Sequence, residues 1–223
     1  MNVENLGRFR DSFGLVRAPC KTVVEEFCNW QQAILKPYGF ELRREPMEGT
    51  LAGVLEALIP RTAPITTRYL FWPLGSWTLY FDNSIGGTDA SPPKVLSARM
   101  QVDAIRAVAA IEQIEPNGRV KKYGATMFEY YIAGVPRRAV FAADDGGKWK
   151  FHQSGEPFAF EEHDCYSARP IKARFTPPML FRYLRQLSVP LEDEASAPAE
   201  EHGSGFLVKK HGKMPQPFRE VYE

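Results

Sequence analysis

Residues 68–89 read RYLFWPLGSWTLYFDNSIGGTD. Two runs rich in aromatic residues, Tyr69–Trp72 and Trp77–Phe81, flank Leu74-Gly75-Ser76. Gly75-Ser76 suits the centre of a type II′ turn, whose first central position needs positive φ. That turn sets the hairpin register: Leu74 opposite Trp77, Pro73 opposite Thr78, Trp72 opposite Leu79, Phe71 opposite Tyr80, Leu70 opposite Phe81 and Tyr69 opposite Asp82. Side chains alternate along a strand, so Leu70, Trp72, Leu74, Trp77, Leu79 and Phe81 share one wholly apolar face. A slip of one residue would mix that set with the other face. The apolar face predicts a core, with Trp77 buried beneath a helix. Pro73 has no N–H and falls at a non-hydrogen-bonded pair, so the outer side of its strand should be unpaired there. The opposite face holds Tyr69, Phe71 and Tyr80 and is amphipathic, to be half covered by a helix or used as a surface for a partner; in the second case these three are read as aromatic anchors together with Phe158 and Phe160.

Asn83–Asp89 leaves the hairpin as a loop with two glycines and flanking carboxylates. As a site it would offer Asp82 and Asp89 as acid, base or ligand. As a connector it would use Gly for positive φ and Asn and Asp for local turn bonds, and this reading carries more weight. The loop is neither GxGxxG nor a P-loop, since no Gly-Lys-Ser/Thr follows. Glu129, in the middle of an aromatic-rich run, is the third carboxylate considered for catalysis.

Outward from the hairpin, the chain alternates strand and helix patterns. Thr22-x-x-Glu25 is a capping box opening a helix over about 22–36, ended by Pro37 and Gly39. Residues 50–59 carry Leu51, Val54, Leu55 and Leu58 at helical spacing. Ser91-Pro92 opens a helix over 92–101, and Thr176-Pro177 opens another over 177–188. Residues 104–111 favour a strand, and 124–152 a three-stranded meander broken at Gly134 and at Gly146-Gly147. The fold class expected is α+β: a largely antiparallel sheet, built on hairpin 69–82 and meander 124–152, with three or four helices packed on one face. Residues 1–189 read as one domain. Residues 190–205, PLEDEASAPAEEHGSG, read as a flexible linker or loop. Residues 206–223 read as a segment docking back, with Phe206–Val208 as an edge strand.

The 223 residues carry 28 basic and 27 acidic side chains, which gives no global signature of nucleic-acid binding. No run approaches the roughly 20 apolar residues of a membrane span. The N-terminal segment has no apolar h-region of a signal peptide. Cys20, Cys28 and Cys165 are odd in number and lack CxxC spacing, so they read as reduced thiols of a cytoplasmic protein. His163-Asp164-Cys165 with Glu161 and Glu162 is the densest group of ligand-type residues, but neighbours on a strand diverge, so neither metal nor cofactor is expected. No GxSxG is present; Leu74-Gly75-Ser76-Trp77-Thr78 lacks the second glycine. The basic pairs, Arg137-Arg138 among them, read as solvated faces or turn flanks; a nucleic-acid groove with Trp149 and Phe151 is argued against by the neutral overall charge.

With no catalytic signature, the leading expectation is a non-enzymatic cytoplasmic protein-binding module. In general make-up the chain is similar to bacterial immunity proteins that block a cognate toxin; the similarity is one of type rather than motif and implies a protein partner, with no nucleic acid and no membrane. The alternative is a carboxylate-dependent hydrolase or transferase with its site around the 82–89 loop.

Overall fold

The computed structural model describes residue 9, residues 11–191 and residues 202–222. The linker reading of 190–205 falls mostly on 192–201, outside the described residues. In chain order the elements are β1 (Ser12–Val16), α1 (Cys20–Leu35), β2 (Glu41–Thr50), α2 (Leu51–Leu55), β3 (Arg61–Ala63), β4 (Arg68–Leu74) and β5 (Trp77–Asp82). Then come α3 (Ser91–Met100), β6 (Asp103–Ala110), β7 (Gln113–Ile114), β8 (Val120–Lys122), β9 (Ala125–Ile132), β10 (Val135–Asp144) and β11 (Trp149–Gly155). The last are α4 (Pro177–Gln186), β12 (His202–His211) and β13 (Arg219–Val221).

Nine strands form one antiparallel sheet in the order β11-β10-β9-β6-β1-β5-β4-β12-β2. The β4–β5 register is the one the turn dictates, from Leu74 opposite Trp77 to Tyr69 opposite Asp82. Pairing of β12 on the other side of β4 stops at Phe71, so Pro73 faces no ladder there. β12 is not the edge strand expected of it. It lies between β4 and β2, because both its sides find extended partners, and β2 takes the edge. That edge is blunted by Pro46 and by Glu41, Arg43, Arg44, Glu45 and Glu48.

The helices do not share one face; they divide between two. On the first face Leu70, Trp72, Trp77, Leu79 and Phe81 join Ile105, Phe128 and Val140 in a core that takes in Leu55 of α2 and Leu180, Tyr183 and Leu184 of α4. On the second, Tyr69, Phe71 and Tyr80 meet Val23, Val24 and Phe27 of α1 and Leu96 of α3. An apolar hairpin face on one side and an aromatic one on the other both had to leave water, which one helical layer cannot achieve. α1 starts at Cys20, ahead of the Thr22 capping box, and no side chain caps it. Pro19 supplies the start: its φ is −59°, and its carbonyl accepts the bond from Val23 N at 3.1 Å.

Arg138 overturns its reading as a solvated residue. It and Glu161 form a bidentate pair with side chains 1% and 0% exposed, at 2.9 and 2.6 Å. Arg138 also donates to the Ser154 and Gly155 carbonyls and to Gln153 Oε1. Glu161 also accepts from Phe158 N and from the Tyr166 hydroxyl. This saturated pair clamps the chain after β11 onto β10. Removing one partner leaves a buried charge uncompensated, so Arg138→Met should cost roughly 3–5 kcal/mol. A chemical-denaturation midpoint close to that of the wild type would refute it.

Trp77 is 1% exposed on the face covered by α4. Its indole N–H has no acceptor among the described residues. Burying 150–250 Å² of ring is worth about 4–6 kcal/mol at 25 cal/mol per Å², against about 1–3 for the unpaired donor, so burial wins. Trp77→Ala should lower stability by roughly 3–5 kcal/mol, read from the urea midpoint.

Candidate functional site

The 82–89 loop is built from its own hydrogen bonds. Asp82 is the last residue of β5 and is 2% exposed. Its Oδ1 accepts from Ser84 N at 3.0 Å, and its Oδ2 from Asp89 N at 2.8 Å and from the Tyr80 hydroxyl at 2.9 Å. Every other amide of the loop is also engaged: Ile85 N with Thr62 O, Gly86 N with Ser84 Oγ, Gly87 N with Ser84 O, and Thr88 N with Ser12 Oγ. Asn83, fully buried, accepts from Thr67 N and Arg68 N and donates to Pro60 O and Thr67 Oγ1. Gly87 has φ +96°, and a Cβ there would lie 2.8 Å from Ser12 Oγ. The connector reading of the loop therefore describes its geometry.

Asp82 and Asp89 are brought together, but as parts of one turn. The Asp89 carboxylate turns back to accept from Ser91 N at 2.9 Å, at the start of α3. Burial pushes the Asp82 carboxyl up to about 6, against the pull of its three donors. Burial also lowers Lys210 to about 8, while Asp82 and Asp89 hold it up; its ammonium lies 5.5 Å over the Tyr69 ring and 5.8 Å over Phe40.

The other expected site residues divide. Glu129 is half-buried on β9, paired with Arg106 at 3.1 Å and with the Tyr131 hydroxyl at 3.2 Å. Tyr69, Phe71 and Tyr80 are not surface anchors: they are 5%, 0% and 0% exposed, with the Phe27 ring 4.9 Å from Tyr69 and from Phe71. Phe158 and Phe160 are stacked 5.0 Å apart and half-buried, packing edgewise on Tyr130 and Tyr183. Cys20, Cys28 and Cys165 are free thiols. Among the described residues, no three His, Cys, Asp or Glu side chains gather to hold a metal ion.

What sequence reasoning missed is the cleft beside the loop, of about 910 Å³. α1 and α3 cover the second sheet face over β4, β5, β1 and the start of β6. Further along, Arg106, Val108 and Ala110 of β6 and Met127 of β9 line the floor of the cleft. One wall is Ile85–Thr88 with Arg61 of β3; the other is the β7–β8 hairpin with Lys121, Lys122 and Tyr123. Four basic side chains line it, Arg61, Arg106, Lys121 and Lys122, against two acidic ones, Asp11 and Asp82. Asp11 is paired with Lys122. The Nε atoms of Arg61 and Arg106 are buried with no hydrogen-bond partner among the described residues. No family model, curated protein or solved structure matches the chain. Its chemistry must therefore be argued from these residues. One signal was visible in advance: Arg106 interrupts the otherwise apolar run 104–110 of a central strand.

The raised Asp82 makes stability depend on pH with a definite sign. The folded chain holds that proton more tightly than the unfolded one, so the contribution is complete below about pH 4 and is lost as pH rises through about 6. The wild-type stability minus that of Asp82→Asn should fall by on the order of 2–3 kcal/mol from about pH 4 to about pH 7. Urea titrations of both proteins across that range check it; a flat difference would mean that the three donors offset the burial.

Proposed function

We propose that the protein is a non-enzymatic protein-binding module whose partner docks at the cleft and on the β7–β8 hairpin. The observation that carries this reading is that Ile111 and Tyr123, 50% and 49% exposed, both line the cleft, while Ile114, 59% exposed, stands on β7 of the hairpin that walls it. Single exposed apolar side chains are ordinary, but a group of them beside a charged cleft has the make-up of an interface. The carboxylates considered for catalysis are meanwhile occupied by internal bonds. An immunity-type inhibitor is the specific form proposed, with a bacterial toxin as the partner. The same proposal places the chain in the cytoplasm, where its three thiols stay reduced, and assigns it neither nucleic acid nor membrane; no helix among the described residues is long and apolar enough to cross a bilayer.

One observation favours the second reading, a carboxylate-dependent hydrolase or transferase. Asp82 borders the cleft with a carboxyl pushed up toward neutral pH. Against it, both Asp82 oxygens accept structural bonds, and Asp89 is not part of the lining.

The test is purification from the native host with a tagged chain, followed by the paired variants Ile114→Ser and Tyr123→Ser. The expected result is a stoichiometric protein partner, lost in the variants at an unchanged denaturant midpoint. Recovery of a toxin as that partner singles out the immunity form. Retention of the partner by both variants refutes the docking face.

A further inference from the structure

Two arginines that line the cleft, Arg61 and Arg106, each carry a buried Nε with no hydrogen-bond partner among the described residues. Buried polar groups are paired in about nine cases in ten or more, so two orphans in one cavity call for a cause. Arg106 gives Nη1 to Glu129 at 3.1 Å, and its buried Nε has no partner among the described residues. Arg61 forms no ion pair among the described residues, and its Nε is likewise without an acceptor. The acids at hand cannot supply one. Asp11 is taken by Lys122, and Asp82 faces Tyr80 and the loop amides. Among the described residues Arg61 and Lys121 of the lining are thus left without a carboxylate, and an anion from outside the chain would complete the site.

The donor set narrows the chemistry. With the amides of residues 84–89 bonded internally, no backbone nest remains to cradle a phosphate. The remaining donors are the guanidinium groups of Arg61 and Arg106 and the Lys121 ammonium, with Lys122 held by Asp11; the guanidinium fork takes a carboxylate or a phosphate, and the apolar surface beside it favours a carboxylate carried on a peptide. Between them the surface is apolar, with Ile85, Val108 and Met127. A net charge of +1 supplies no long-range field for a polyanion.

We infer that the cleft receives an acidic segment of the partner protein, its carboxylates pairing with Arg61 and Arg106 and its apolar side chains lying on Val108 and Met127. The inference rests on the binding-module reading and names the partner's chemistry at that same face.

The experiment follows the arginine Nε–Hε NMR signals of the full chain during titration with succinate and, separately, with inorganic phosphate. Succinate should shift the Arg61 and Arg106 signals saturably. Arg61→Gln should weaken that binding roughly tenfold, the loss of one charge-assisted hydrogen bond, at an unchanged denaturant midpoint. Arg106→Lys keeps a cation for Glu129, removes the Nε donor and should weaken it similarly. No saturable shift with succinate overturns the inference, as does tighter binding of phosphate. The same variants are then tested for capture of the partner. Loss of capture with Arg61→Gln supports the inference. Capture kept by Arg61→Gln but lost with Tyr123→Ser overturns the acidic-segment inference and leaves the binding-module reading standing.

Discussion

Gly75 has φ +59°, Ser76 has no positive φ, and from this turn the register of β4 on β5 follows. Every pair from Leu74–Trp77 to Tyr69–Asp82 inherits its face from it. The consequence reaches beyond the hairpin, since both faces so created are hydrophobic and each demands a cover. α4 and α2 answer on one side, α1 and α3 on the other. A strand pair buried on both faces sits naturally within a wide sheet, and β1 and β12 flank it.

The cleft is a by-product of how that cover is distributed. The helical layer on the second face ends before it reaches the far part of β6 and β9. There the sheet face is half polar, with Arg106 and Glu129 paired across strands. The 82–89 loop, held shut by its own carboxylate and amide bonds, makes one rigid wall, while the β7–β8 hairpin raises Tyr123 and Lys121 as the other. The fixed loop and the Arg61 and Arg106 guanidinium groups beside it are what the proposed docking uses, the wall for shape and the arginines for direction.

The elements legible in the sequence were those with strong local rules. The turn fixed the hairpin, the glycine-bounded runs fixed the meander, and Thr176-Pro177 marked α4. Positions decided by tertiary partners were not legible. Tyr69, Phe71 and Tyr80 looked like anchors because nothing local says that Phe27, more than forty residues earlier, will cover them. Arg138 looked solvated because its acceptors lie at residues 153–161. Asp82 and Asp89 were rightly seen as neighbours of a loop, but their bonds to Ser84, Asp89 and Ser91 amides, which set them apart from an acid–base pair, are visible only in three dimensions. The cleft, assembled from β3, β6, β9 and two loops, has no contiguous signature at all.

β12 carries a consequence for how the molecule is made. Residues 202–211 lie between β4 and β2, so β2 has no ladder partner in the sheet until they arrive. A ribosome delivers residues 41–50 long before β12, their one strand partner among the described residues. Meanwhile the edge of β4 that receives Phe206–Lys209 stays open. Long-range pairing of this kind is slow, and an unpaired strand edge is prone to aggregate. The nascent chain must wait with its sheet unfinished, and the charged residues and Pro46 of β2 keep that waiting strand from pairing with the wrong neighbour.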